Sequence, residues 1–417
     1  MGDHLMMRRP LMSIFAMPWR FTALLAVVSL GSLSAVFSAQ PVALDRYESR
    51  FYTLYSNLPL AEARRYGGHM DLVFNEFQGR FQSFRDRRRG RQNLYLFRTR
   101  QDYVNQMGAF GVKAGHTDGM FFRRNQASGL ATYVGDQSDQ RVFAVLQHEG
   151  FHQFAANYIG DRLPRWANEG LAEYFGQAVI VNRKVRLGNA DARRLATIRT
   201  AITDGTVINF DDLLNITAHQ WHENVRSGSD LGYLQYVQSW SIVHFLIHGD
   251  KGRYQRAFGQ YLNLLSRGWA QTTAFERAFD TSDTSGFQQR WLEYVQQLKP
   301  DSYSEALSQM EFLGSGLRAL DRESLGMPTT IDQLKSVLQE RQFQVTRMSH
   351  AGPIMIEATD ESLYHYLAPD GQENPFELKE GQKGFPPSIG ASGLRPAPSI
   401  QWKRDKQNKL TFKIVYR

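Results

Sequence analysis

His148-Glu149-Gly150-Phe151-His152, read together with Asn168-Glu169-Gly170-Leu171-Ala172-Glu173 sixteen positions further on, decides how this chain is understood. The first stretch has the pattern HExxH. On a helix, residues four apart share a face, so the two imidazoles stand side by side with the Glu149 carboxylate at the edge of that face. Ser138 or Asp136 is placed to cap such a helix, and Val142, Phe143, Val145 and Leu146 give it an apolar side. Two imidazoles and one carboxylate suit Zn²⁺, with a fourth position left for water. Glu169, on a second helix expected from Pro164 to about Gly176, supplies the carboxylate. Glu173, one turn later, is placed to accept a hydrogen bond from a ligating imidazole, which fixes its tautomer. The expectation is one Zn²⁺ per chain on His148, His152 and Glu169, supported by Glu173.

A three-histidine site is excluded. It needs Gly three residues after His152 and His three further on, where the chain has Ala155 and Tyr158. Zinc lowers the pKa of bound water, and Glu149 is the base expected to take the proton from that water and return it to a leaving amine. A tetrahedral oxyanion needs a further donor. Tyr236, on a helix expected over 233–248, is the choice; Tyr233, His219, His222 and His244 are its rivals.

The 417 residues hold no cysteine, which removes disulfides, thiolate ligands and a cysteine nucleophile. The net charge is +8, and the densest basic stretch, Arg85 to Arg91, reads as a solvated loop. Nothing else favours nucleic acid. Arg8, Arg9 and Arg20 precede an apolar run from Phe21 to Phe37 closed by small residues, the order of a secretory signal. Residues 1–38 are therefore expected to direct export to the periplasm, envelope or exterior, with an uncleaved membrane tether through 21–37 as the alternative.

The fold class expected is α+β. Strands are expected near 51–55, 93–97, 119–122 and 130–134, the last two as a hairpin turning over 125–129. Helices are expected over 60–84, 101–107, 253–266, 273–279 and 287–298. Lys299-Pro300-Asp301 marks a boundary between a domain of residues 40–300 and an appended α+β module, 301–417. That module is expected to contain helices near 304–320 and 331–340, strands at 343–348 and 354–358, and a terminal hairpin around 405–408.

The segments "HEGFHQF" and "LPRWANEGLAEYF" resemble the zinc segments of the gluzincin metallopeptidases, such as thermolysin and aminopeptidase N. "YVQSWSIVHFL" is similar to the helix that brings the oxyanion tyrosine in aminopeptidase-like members. The wider likeness, from about residue 45 onward, is to secreted bacterial peptidase-MA-like proteins. The resemblance implies a gluzincin-type zincin: a small N-terminal mixed sheet, the active-site helix and a helical C-terminal subdomain. It implies the same ligands, base and supporting Glu173. It also implies an extended peptide substrate added to an edge strand before the motif helix, placed here at Gly129–Val134. Aminopeptidases of this clan grip the free amine with an acidic residue in a Gly-x-Met-Glu-Asn segment. Gly129-Leu130-Ala131-Thr132-Tyr133 has none, so an endopeptidase is expected. The competing functions are a non-catalytic envelope-binding protein on a retained peptidase fold, and a zinc amidase acting on peptidoglycan peptides.

Overall fold

The computed structural model describes residues 41–87, 90–124, 127–135, 137–349, 352–404 and 408–417. The expected export signal (1–38), the tether (21–37) and Asp136 lie outside the described residues, as do parts of two expected turns and of the basic stretch. The described residues form one compact α+β unit. None of its helices is long and apolar enough to cross a membrane.

The N-terminal sheet is built from β1 (Asp45–Glu48), β2 (Tyr52–Ser56), β3 (Gln92–Phe97), β4 (Gly119–Arg124) and β5 (Ala127–Tyr133). Their spatial order is β1-β2-β3-β5-β4. β2, β3 and β5 run parallel, and β1 and β4 pair antiparallel at the two edges. β1 was not foreseen, because an exposed Asp-Arg-Tyr-Glu strand has no hydrophobic alternation. Side chains alternate between two cores, as the pleat requires. Leu54, Leu94, Leu96 and Leu130 face α1 (Leu60–Arg80) and the motif helix. Tyr95, Phe97, Ala131 and Tyr133 face α2 (Arg100–Ala109), which Thr99 and Asp102 begin with a capping box. Helix α1 stops short of the expected Phe84 and hands over to a 3₁₀ turn, Gln82–Arg87.

The hairpin forms, but the edge is not where it was expected. Gly129–Tyr133 lies in β5, which pairs with β3 on one side and β4 on the other. Leu130 to Tyr133 are all buried, the near-continuous apolar run of an interior strand. The free edge is β4. It sits hard against the motif helix: a Cβ on Gly119 would lie 2.4 Å from Val145 Cγ1 and 2.9 Å from Ala131 O.

The motif helix, α3 (Asp139–Phe154), is capped by Ser138, which accepts from Arg141 N. It continues as one π turn, Ala155–Ile159, and Gly160 ends it at φ 111°. α4 (Arg165–Gly176) follows. Pro164 is its cap rather than its first residue, with its carbonyl accepting from Ala167 N and Asn168 N. A hairpin, β6 (Val179–Val181) and β7 (Lys184–Arg186), then leads to α5 (Ala192–Thr203), α6 (Phe210–Asn215) and α7 (Ala218–Arg226). Next come α8 (Asp230–His248), α9 (Gln255–Ser266), α10 (Gln271–Phe279) and α11 (Thr284–Gln297). α8 is buried almost throughout. It crosses α4 so closely that a Cβ on Gly170 would stand 2.5 Å from Ser239 O.

Beyond Asp301, which caps it, α12 (Ser302–Arg322) packs with α13 (Ile331–Glu340) and the strands that follow. β8 (Gln344–Ser349) pairs with β9 (Gly352–Glu357), and β10 (His365–Leu367) with β11 (Glu373–Pro375). β12 (Glu377–Lys379), β13 (Ser388–Gly390), β14 (Pro398–Arg404) and β15 (Leu410–Tyr416) form a four-stranded antiparallel sheet. A hydrophobic core of residues from Tyr303 to Ile414, joined by Val181, lies here, and another gathers residues from Tyr52 to Val295. Polar contacts cross between these two sets. Ser138, the cap of the motif helix, donates to Glu311 of α12, which also holds Arg347 Nη2 at 2.9 Å.

Candidate metal centre

α3 buries Val142, Leu146, Phe151 and Phe154 among Met70, Phe77 and the sheet. That packing turns the opposite face, with His148, Glu149 and His152, toward α4. The imidazole nitrogens His148 Nε2 and His152 Nε2 are 3.0 Å apart. Glu169 Oε2 lies 3.6 Å from the first and 3.3 Å from the second. Donors about 2.0–2.1 Å from a tetrahedral zinc ion stand about 3.3–3.4 Å from one another. The three donor atoms match that spacing, and they form the one group of its kind among the described residues. The residues present fit a bound divalent cation.

The outer nitrogens are also held. His152 Nδ1 is 3.2 Å from Asn168 Oδ1, and His148 Nδ1 is 3.5 Å from Glu173 Oε1. Both contacts favour a proton on Nδ1 and a lone pair on Nε2, directed at the shared point. Glu173 Oε2 is paired at 2.5 Å with Nη2 of Arg194, whose guanidinium also lies 5.9 Å from the Trp240 ring centre. Asn168 and Arg194 were not singled out from the sequence. Asn168 had a signal, its place beside the expected ligand. Arg194 had none, since nothing marked α5 as a neighbour.

The charge in this pocket calls for a cation. Glu149, Glu169 and Glu173 are only 5%, 7% and 6% exposed. Arg194 pairs with one of them, and Arg165 reaches only the rim, its Nη1 3.8 Å from Glu169 Oε1. Burial pulls His152 down, but the carboxylates of Glu169 and Glu149 and the Asn168 contact push it up to about 9. Burial pushes Glu169 up, yet His152 and His148 hold it well below the usual carboxylate range. A pocket that pulls a proton onto the His152 imidazole in this way offers the same field to a divalent metal.

Glu149 accepts a hydrogen bond from Phe121 N, at 2.7 Å, on the edge strand β4. Its pKa is raised, first by burial, against the opposing influence of His152, His148 and that N–H. Glu149 thus sits between the candidate ligands and the free edge of the sheet, a link no sequence pattern marked. Tyr236 is buried, with its ring edge-on to Trp221 at 5.0 Å between centroids. Burial, then Glu169, with further contributions from Glu173 and Glu149, keeps its hydroxyl protonated far above the usual range.

The rivals of Tyr236 have different surroundings. His219 is exposed and paired with Glu223 at 3.3 Å. His222 is exposed at the rim, where burial and then Arg165 lower its pKa against the pull of Glu169. Tyr233 feels Arg194 rather than the ligand carboxylate. His244 is buried, with Nδ1 2.6 Å from Tyr294 Oη and Nε2 3.1 Å from Gly188 O. Ala155 and Tyr158, which stand where a three-histidine site needs Gly and His, are buried in the core. Of the basic stretch, Arg91 is occupied by Ser49 O and Glu48.

Residues 142–267 match a family described as "Protein of unknown function (DUF1570)". No curated protein matches the chain. The matched stretch begins inside α3 and ends after α9, so it contains every residue of the candidate centre and none of the N-terminal sheet.

Proposed function

We propose that this chain is an exported zinc metallopeptidase of the gluzincin type. The observation that carries the reading is the His148–His152–Glu169 donor set, with separations of 3.0, 3.3 and 3.6 Å, beside a buried Glu149 tied to an edge strand. Its two nitrogens, one oxygen and compact spacing suit zinc. Bound Zn²⁺ supplies Lewis acidity and a lowered pKa for water. Glu149 takes a proton from the attacking water; as the C–N bond breaks, it returns that proton to the departing amine. The Tyr236 hydroxyl, kept protonated by its surroundings, donates to the oxyanion. Asn168 and Glu173 hold the imidazole tautomers, and Arg194 keeps Glu173 oriented.

The edge strand on which an extended peptide would be laid is β4 rather than β5. β4 reads Gly119-Met120-Phe121-Phe122-Arg123-Arg124 and carries no acidic side chain to grip a free amine. This supports an endopeptidase over an aminopeptidase. The charged, apolar and small-residue order of residues 8–39 supports export.

Metal analysis and cleavage profiling on a peptide library test the reading. The expectation is about one zinc per chain, and Glu149→Gln should retain metal while losing at least about 10²-fold in kcat/KM, the size of a general-base contribution. Protein free of metal after growth with zinc, or full activity in the variant, would overturn it. Equal binding of a wall ligand by both proteins without cleavage would favour the envelope-binding alternative. Cleavage confined to peptidoglycan peptides would favour the amidase.

A further inference from the structure

Arg165 opens α4 and lies one turn before Glu169, on the same face. Its Nη1 is 3.8 Å from Glu169 Oε1, while Oε2 is the oxygen turned toward the histidines. At 3.8 Å the contact is an ion pair and not a hydrogen bond. Among the described residues the Arg165 guanidinium makes no hydrogen bond, and its side chain is 36% exposed. A guanidinium presents five N–H donors in a planar fork matched to a carboxylate. Here they stand beside Glu169, with no hydrogen-bond acceptor among the described residues.

The neighbouring wall is α7, whose His222 has its pKa lowered first by burial and then by Arg165. His222 on α7 is within electrostatic reach of Arg165, Arg226 and His219. The acidic residue of α7, Glu223, is turned to His219. Among the described residues, the carboxylate paired with Arg165 is that of Glu169, whose charge a bound metal would claim.

We propose that the Arg165 guanidinium is a carboxylate-binding element of the substrate cleft, so that the chain cleaves peptides with a free carboxylate close to the scissile bond faster than their neutral counterparts. This rests on the peptidase reading above. The carboxylate is either the substrate's C-terminal group or an acidic side chain. In either case it docks on Arg165 through charge-assisted hydrogen bonds and leaves the metal ligands undisturbed.

The test uses the zinc-loaded full chain and a peptide library in matched pairs. One arm compares free-acid with amidated C-termini; the other compares Glu with Gln at positions flanking the cut. Wild type should favour the carboxylate partner by about 10- to 100-fold in kcat/KM, the range of a hydrogen bond to a charged group. The arm that shows the preference identifies the source. Arg165→Gln should collapse that ratio toward one, and Arg165→Lys should keep part of it. A ratio of one in wild type overturns the proposal. So does a uniform loss in Arg165→Gln with the ratio intact and zinc affinity reduced, the mark of a residue that only supports Glu169. If wild type holds zinc but cleaves nothing, the peptidase reading fails by itself. Calorimetric binding of a peptide hydroxamate acid against its amide then decides the Arg165 proposal: equal affinities overturn it, and a preference lost in Arg165→Gln sustains it.

Discussion

Two pairs of histidines sit four residues apart on buried helices of this molecule. His148 and His152 on α3 have ring centroids 4.8 Å apart; His244 and His248 on α8 have theirs 4.6 Å apart. Spacing does not separate them. Their surroundings do. The first pair faces the carboxylates of Glu149, Glu169 and Glu173. The second faces hydroxyls and a carbonyl: Tyr294, Tyr174 and Gly188 O. Accordingly His152 is pushed up to about 9, while burial pulls His244 down to about 4 and lowers His248 as well. Here the pair that another element supplies with carboxylates is the candidate metal site. Elsewhere the same spacing yields neutral imidazoles serving as hydrogen-bond partners in a core.

The contrast can be broken most directly by deletion. His152→Ala should weaken zinc binding by more than the roughly 100-fold typical of an outer partner, whereas His244→Gln should leave zinc content intact. Equilibrium dialysis against a zinc indicator measures both, and comparable losses in the two variants would erase the distinction.

A second test uses pH. His244 is depressed from about 6.5 to about 4 in the folded chain, so the unfolded state binds the proton more readily. The stability it contributes is present above pH 6.5 and is lost as pH falls from there to 4, up to roughly 3 kcal/mol. Denaturation at pH 7 and pH 4.5 should therefore show wild type losing more stability than His244→Gln. Parallel losses would mean that this imidazole is not held neutral by the fold.

The smallest effect concerns the outer partner at the metal pair. Glu173→Gln should reduce zinc affinity by about 10- to 100-fold with the fold retained. An unchanged affinity would leave Arg194 and Glu173 as an ion pair of structure alone.

Much of the site was legible because its signals are local. HExxH and the later Glu169 and Glu173 each need only helical periodicity to be placed, and α3 and α4 supply it. The edge strand was misassigned for a physical reason: a hairpin has two strands, and nothing local says which one pairs again. β5 is the more apolar and goes inside. The sequence marks no element over residues 177–229, although α5 brings Arg194 to Glu173 and α7 brings His222 to the rim.

What the sequence determined by itself is therefore the donor set and the helices that carry it, because residues three or four apart meet whenever a helix forms. The partners at greater separation were decided only in three dimensions. Glu149 meets Phe121 N, Glu173 meets Arg194, Ser138 meets Glu311, and α4 meets α8 at Gly170. Each of these depends on how buried faces from distant segments pack, and that packing is a property of the whole core rather than of any stretch of the chain.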